Sequence, residues 1–396
     1  MKRFTKDKLL VLLSSIAGKM FGLLSSIVIV RLLSIQNFAE WTYYKSFIVF
    51  LLPFATLGME QVFLRYAYIK GVDRKGLQEQ SFITAISFSV VVFLISFIFL
   101  FFIRPNEFSN TILLLFVFFQ LFTTPFNLFQ QYTYRIQDNF FKYSKVVFLT
   151  SIFVSTSLII GSLISVEVMA ILVSSSYLVY YLTSSVRIKF NYKLLFAIPK
   201  DRLKYGVNIS IGGLLNKGVY IFDIIYIANV LNDIDALAGY KVITLLPFNL
   251  ILLANSILIV DFGSFVNFKK KDTFEYLFNY WKKGLLLLIP VGLILFFFNF
   301  EIVNLLFGAR YTEYSQLMFY YFIFISVIIL VRSPIGQLLN ALGFAGFNSV
   351  MTIIQTILLG LLFILPIELT ITQMIFYLCC VVLFLTGIQT IKLFRL

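Results

Sequence analysis

The chain has 396 residues, 60% of them hydrophobic and only 13% charged, with a formal net charge of +14. Soluble domains carry about 25% charged residues, so this composition excludes a soluble globular protein and points to a polytopic membrane protein. Histidine is absent, which removes His-based zinc sites and Ser-His-Asp triads, and the two cysteines, Cys379 and Cys380, are adjacent in an apolar run and form no disulfide framework.

Lipid leaves no water for backbone groups, so the spans are helices or a closed barrel; the apolar runs lack the alternation of barrel strands, which leaves helices. Twelve runs follow one another, at 9–33, 42–64, 81–103, 111–133, 146–164, 168–186, 205–231, 237–262, 284–300, 316–331, 347–365 and 371–391. MKRFTKDK before the first run resembles the start of a signal peptide. The run is too long for one, Lys19 interrupts it and no small-residue cleavage site follows, so it reads as a retained helix.

Lys19 sits ~15 Å into that helix, close to the middle of ~30 Å of hydrocarbon. A cation there costs roughly 2.5–3.5 kcal/mol on insertion scales, so such a residue faces a wet cavity or a partner. Ser15, Gly22 and Ser26 share its helix face at helical spacing. Lys217 takes the same place in the seventh run, with Ser210, Gly213 and Tyr220 beside it. The alternative for both is that they snorkel or pair with a buried acid for stability alone.

Of the 32 Lys and Arg, 25 fall before the first run or after an even-numbered one. That is the positive-inside pattern, and it places both termini in the cytoplasm. The basic balance is therefore topological, with attraction to anionic membrane lipid, and nucleic acid is not an expected partner. The outer side has Arg31, Lys45, Arg104 and Arg310 against Glu40, Glu107, Glu167, Asp233, Asp235, Glu301, Glu313 and Glu368.

The longest inner loop, 187–204, divides the runs into six and six. The expected organisation is a first lobe over 1–186, a cytoplasmic linker over 187–204 and a second lobe over 205–396. The lobes show a weak repeat: Lys19 and Arg31 match Lys217 and Asn229, and Tyr44-Lys45 before LLPF matches Tyr240-Lys241 before LLPF. An even number of helices per half makes the repeat parallel, an architecture of transporters with a site near the midplane. The expected fold is thus all-α and integral to the membrane, with 12 transmembrane helices in two six-helix lobes around a central cavity.

Arg31, Lys45 and Lys241 lie toward the outer end of that cavity, as an exit path for an anionic head or as interfacial anchors. Asp223 is an intramembrane carboxylate that suits a coupling Na⁺ or proton, or a structural ion pair with a lysine of another helix. Glu60 and Asp261 read as interfacial. Asp233-Ile-Asp235 is a D-x-D of the kind that holds a sugar-phosphate donor, or a solvated turn. Asn127, Gln130, Gln131, Tyr132 and Tyr134 combine amides and aromatics suited to sugars.

RLLSIQNFAEW at 31–41 resembles the segment that follows the first helix of bacterial polysaccharide flippases, the O-antigen and capsule transporters of the multidrug/oligosaccharidyl-lipid/polysaccharide exporter superfamily. Ala39 and Trp41 stand where that family has Gly and Tyr. Leu57-Gly58-Met59 with Arg65-Tyr66, LKYGVNIS at 203–210, Asp223, ALAGYKV at 236–242 and LLFGARY at 305–311 extend the likeness over nearly the whole chain.

The resemblance implies transport without covalent chemistry, in a bacterial inner membrane. The substrate would be an undecaprenyl-diphosphate-linked oligosaccharide, with a polysaccharide polymerase and a chain-length regulator as partners. It implies that Lys19 and Lys217 engage the diphosphate, and that Asp223 binds Na⁺ with Asn348 and Thr352. No other cofactor is expected. Relatives use arginine where this chain has lysine, which weakens bidentate phosphate recognition.

A small-molecule cation antiporter of the same superfamily would want acidic residues to dominate the cavity. A membrane glycosyltransferase or polymerase would want a large outer loop with catalytic acids or arginines. Neither pattern is present.

Overall fold

The computed structural model describes residues 2–67, 72–104, 108–137, 139–183, 188, 194, 197–218, 221–265, 268–363 and 369–395. Among the described residues, most of the sequence in the apolar runs is helical. The elements are α1 (Lys2–Leu32), α2 (Ile35–Ala55), α3 (Met59–Tyr66), α4 (Arg74–Ile103), α5 (Thr111–Ile136), α6 (Phe140–Ser162), α7 (Val166–Thr183) and α8 (Lys200–Gly218). They continue with α9 (Phe222–Tyr226), α10 (Ile234–Phe265), α11 (Lys270–Phe297), α12 (Asn299–Phe307), α13 (Ser315–Val327), α14 (Ser333–Ala341), α15 (Ala345–Gly360) and α16 (Ile371–Phe394). A π turn at Ile227–Leu231 extends α9, and another at Ile328–Arg332 joins α13 to α14.

Among the described residues, eight helices are long and apolar enough to cross a membrane, or nine if the bent pair α2–α3 is one span. The protein is a multi-pass membrane protein. Its lipid-facing stripes are explicit: α4 exposes Ile95, Ile98 and Phe102, and α11 exposes Leu286, Leu287 and Leu293. Helices of this kind gain nothing by hiding apolar surface from lipid, so close backbone approach and interhelical hydrogen bonds hold them together.

The chain separates into two compact units, Met1–Ile221 and Phe222–Leu396. In the first, α5 is central and packs against α2, α4, α6 and α7, while α1 lies along α6. Phe63, Phe82 and Phe129 form the heart of one core, with Phe63 stacked on Phe129 at 6.0 Å and Phe82 edge-on to Phe129 at 5.4 Å. In the second, Leu258, Phe265, Leu277, Ile335 and Leu338 bring together α10, α11 and α14. Helix α8, which the sequence reading assigns to the second lobe, packs against α2 and α3 and belongs to the first unit. Most of 187–196 lies outside the described residues.

Three local differences from the sequence reading matter. Helix α2 starts at Ile35, not at 42, because Ser34 caps it by accepting from the Asn37 N–H at 3.2 Å. Glu40 is therefore a buried helical residue, 3% exposed, and not part of a solvated outer loop. The second run is broken by 44° between α2 and α3, where Leu57 and Gly58 take φ of 51° and 62°.

The seventh run is not one continuous helix either. Helix α8 ends at Gly218 and α9 begins at Phe222, so Lys217 sits in the last turn of α8 rather than mid-helix. The sequence GGLLNKG supplies poor helix formers there. The D-x-D also has a plain structural role: Asp233 Oδ1 accepts from the Ala236 N–H at 2.8 Å and caps the start of α10.

Candidate functional site

Lys19 is held on α1 by the packing of its neighbours. Gly18 is buried, and Phe21 meets Phe148 of α6 edge-on at 6.0 Å. Lys19 points off that contact and is exposed. Ser25 and Ser26 donate to the Gly22 carbonyl at 3.0 and 2.8 Å, so these hydroxyls turn back onto their own helix instead of lining a groove. The Ser15 side chain lies outside the described residues.

Lys217 is also exposed. Ser210, about two turns before the end of α8, is fully buried against the α2–α3 break, and its hydroxyl has no partner among the described residues. Tyr220 lies outside the described residues. Neither Lys19 nor Lys217 has a hydrogen bond or ion pair among the described residues, and no charged neighbour acts on either. Both belong to the first unit.

The other cationic candidates are engaged. Lys45 Nζ donates to Gln120 Oε1 on α5 and lies 5.7 Å from the Trp41 ring centroid. The preceding Tyr44 donates to Glu40 Oε1 at 2.9 Å, and the Asn110 N–H donates to the same oxygen at 3.1 Å. Asn110 also donates through its side chain to Glu167, so one asparagine holds two carboxylates, Glu40 by its backbone N–H and Glu167 by its side-chain amide. Arg31 is exposed at the end of α1.

The second unit repeats the motif with different geometry. Tyr240 donates to Asp223 Oδ2 at 2.6 Å, and the Ile224 N–H donates to Oδ1 at 2.8 Å. Lys241 acts on the Asp223 carboxylate electrostatically, and Tyr321 lies edge-on to Tyr240 at 5.7 Å. Asp223 is 4% exposed. In each unit, then, the tyrosine of the Tyr-Lys pair secures a buried carboxylate. The sequence offered Tyr44-Lys45 and Tyr240-Lys241 only as markers of a repeat; Glu40 lies one helical turn before Tyr44 on α2, a local spacing the reading passed over because it took 40 as outer loop, whereas Asp223 reaches Tyr240 from the separate helix α9.

Asn348 and Thr352 are brought together, but on other partners. Asn348 Nδ2 donates to Asn340 Oδ1 at 3.0 Å, its Oδ1 accepts from Gln389 at 2.5 Å, and Thr352 donates to the Asn348 carbonyl at 3.1 Å. Among the described residues, no hydrogen bond joins either of them to Asp223.

Three of the polar side chains named on α5 are spent inside the first unit, whereas Gln130 is fully buried with no hydrogen-bond partner for its amide among the described residues. Asn127 donates to Thr150 of α6 at 2.8 Å, Gln131 donates to Asn127 at 2.5 Å, and Tyr132 accepts from Gln61 of α3 at 2.7 Å. Glu60 is buried too, and its Oε2 has no partner among the described residues. The Asp261 side chain lies outside the described residues.

The sequence matches no family model and no curated protein. The structure does have counterparts. An inward-facing multidrug resistance MATE transporter of the MOP superfamily superposes with a TM-score of 0.69 at 11% identity, over 98% of each chain. The lipid II flippase MurJ, in an inward closed conformation, gives 0.67 at 12% identity over 96% of this chain and 87% of that one. A MOP superfamily transporter from Pyrococcus furiosus, described as having a binding pocket of reversed polarity, gives 0.64 at 14% identity over 98% and 94%. At these identities the likeness is one of fold: the chain shares, along nearly its whole length, the fold of MATE and other MOP-superfamily transporters.

Proposed function

We propose that the protein is a flippase that carries an undecaprenyl-diphosphate-linked oligosaccharide from the cytoplasmic to the outer leaflet of a bacterial inner membrane. The polyprenyl tail stays in lipid while the charged head takes a polar path through the protein, which opens alternately to each side. The observation that carries the reading is the pair Lys19 and Lys217: two exposed cations, one within the apolar part of α1 and one in the last turn of α8, neither engaged by a hydrogen bond or an acid among the described residues. An uncompensated cation in an apolar helix is costly, as for Lys19, and a diphosphate reaching both lysines is a countercharge that offsets the cost in the loaded state.

The acids are arranged the other way. Asp223 and Glu40 are buried and already held by tyrosines, so they offer no open anionic surface to a cationic drug. This disfavours a cation exporter. It suits Asp223 to the coupling role, in which a proton or Na⁺ competes with Tyr240 and Lys241 for one carboxylate.

Deletion of the gene tests the reading directly. Lipid-linked oligosaccharide should accumulate on the cytoplasmic leaflet and surface polysaccharide should disappear; unchanged amounts and sidedness of the lipid would reject a flippase.

The coupling role has its own test. Asp223→Asn removes the negative charge that acts on Lys241 and weakens the bond from Tyr240, a loss of about 1–3 kcal/mol. Adding Lys241→Met should restore folding. Transport by the double variant should then no longer respond to Na⁺ or proton gradients, and a retained response to both rejects Asp223 as the coupling group.

A further inference from the structure

The break between α2 and α3 and the first turns of α8 approach each other backbone to backbone. A Cβ on Gly206 would lie 2.6 Å from the Leu57 carbonyl oxygen, and one on Gly58 would lie 2.5 Å from the Gly206 carbonyl oxygen. This approach sets the end of α3 beside the start of α8. Tyr66 and Tyr205 meet edge-on, with centroids 6.0 Å apart and planes at 83°.

Two arginines flank that pair. The Arg65 guanidinium lies 4.4 Å from the Tyr205 ring centroid and 5.8 Å from that of Tyr66, and the Arg202 guanidinium lies 5.1 Å from Tyr66. Stacking on a ring occupies the flat face of a guanidinium and leaves its N–H edge available. Among the described residues, neither arginine makes a hydrogen bond or ion pair. The acids nearest in sequence do not take that edge: Glu60 is buried and makes no ion pair with Arg65 among the described residues, Asp201 is exposed in the first turn of α8, and Asp73 caps α4 by accepting from the Lys75 and Gly76 N–H groups. Both arginines follow an even-numbered apolar run, on the side expected to be cytoplasmic, where a lipid-linked donor is made.

We propose that Arg65 and Arg202, pre-oriented on the Tyr66–Tyr205 pair, form a phosphate-binding subsite on the first unit that receives a lipid diphosphate head on its way to Lys19 and Lys217. The proposal rests on the flippase reading for its ligand. It gives the chain the planar, bidentate phosphate recognition that its two lysines lack. The same chemistry would attract the phosphodiester of a bulk anionic phospholipid. The site takes the diphosphate in preference, because two forks on one platform match an ester with two phosphates better than an ester with one.

The test uses the full chain in phosphatidylcholine nanodiscs with farnesyl diphosphate as the probe. Arg65→Gln and Arg202→Gln should each weaken binding at least tenfold, and Lys270→Ala should not. Arg65→Lys and Arg202→Lys should also weaken it, since an ammonium keeps the charge without the fork; these variants serve if the glutamine variants fail to fold. Unchanged affinity in the folded arginine variants overturns the proposal. So does displacement of the probe by phosphatidylglycerol at equal concentration, which assigns the site to bulk lipid. Equal binding of inorganic diphosphate overturns it as well, by assigning the site to a free anion. Arginine-dependent probe binding in a protein whose deletion leaves lipid-linked oligosaccharide unchanged keeps the subsite and rejects the flippase reading; the opposite pair of results does the reverse.

Discussion

Cells carrying Lys19→Ala together with Lys217→Ala in place of the wild-type gene should make no surface polysaccharide, although the protein remains in the membrane at normal abundance. A hydrogen bond to a charged group contributes about 1.5–3 kcal/mol, so each single variant should lose roughly tenfold to a hundredfold in transport, and the pair should fall below detection. The structure sharpens the control. Neither lysine supports the fold through a hydrogen bond or ion pair among the described residues, so removing them should leave thermal stability unchanged or raised. Lys45→Ala should behave in the opposite way, because it strips Gln120 of a donor between α2 and α5 and lowers stability first. Normal polysaccharide in the double alanine variant would sink the diphosphate assignment.

Gly58→Ala should be among the most destabilising single-methyl changes in the chain. Gly58 has φ of 62°, which costs a side-chain-bearing residue about 1–2 kcal/mol. Its new Cβ would also press on a backbone carbonyl, that of Gly206, at 2.5 Å, and a backbone atom in a packed helix cannot rotate away. Overpacking of this kind adds about 1–3 kcal/mol. The expected result is a lowered melting temperature in detergent and reduced abundance in the membrane. Gly212→Ala, on the same α8 but with open space around its Cβ position, should leave both unchanged or slightly improved. Equal melting temperatures for Gly58→Ala and the wild type would mean that α3 and α8 are not locked together, and the platform under Arg65 and Arg202 would lose its support.

Much of the architecture was legible in the sequence because the bilayer imposes a coarse constraint that needs no partner to express it. Helices appear wherever the apolar runs do, since lipid demands that each segment satisfy its own backbone. Starts and breaks were less legible. Ser34 caps α2 from within what reads as an outer loop, and the Leu57-Gly58 break interrupts a run whose hydropathy alone gives no sign of it. Gly-rich GGLLNKG hints at the end of α8, but glycine is common in membrane helices and the hint alone is ambiguous.

For the site, the sequence by itself determined which residues are expensive: Lys19, Lys217 and Asp223 stand out because an ionisable group in an apolar helix must be explained. It could not determine how each is explained, since that depends on which helix lies alongside. Only the tertiary structure decided that Asp223 is held by Tyr240 and acted on by Lys241, that Lys45 is bound to Gln120, and that Asn348 and Thr352 are engaged elsewhere. Only packing, likewise, set Arg65 and Arg202 around one pair of tyrosine rings. The physical reason is one of range. Hydropathy and helix formation act within a segment and are written along it, whereas neutralising a charge or stacking a guanidinium needs an atom a few ångströms away that arrives from another part of the chain.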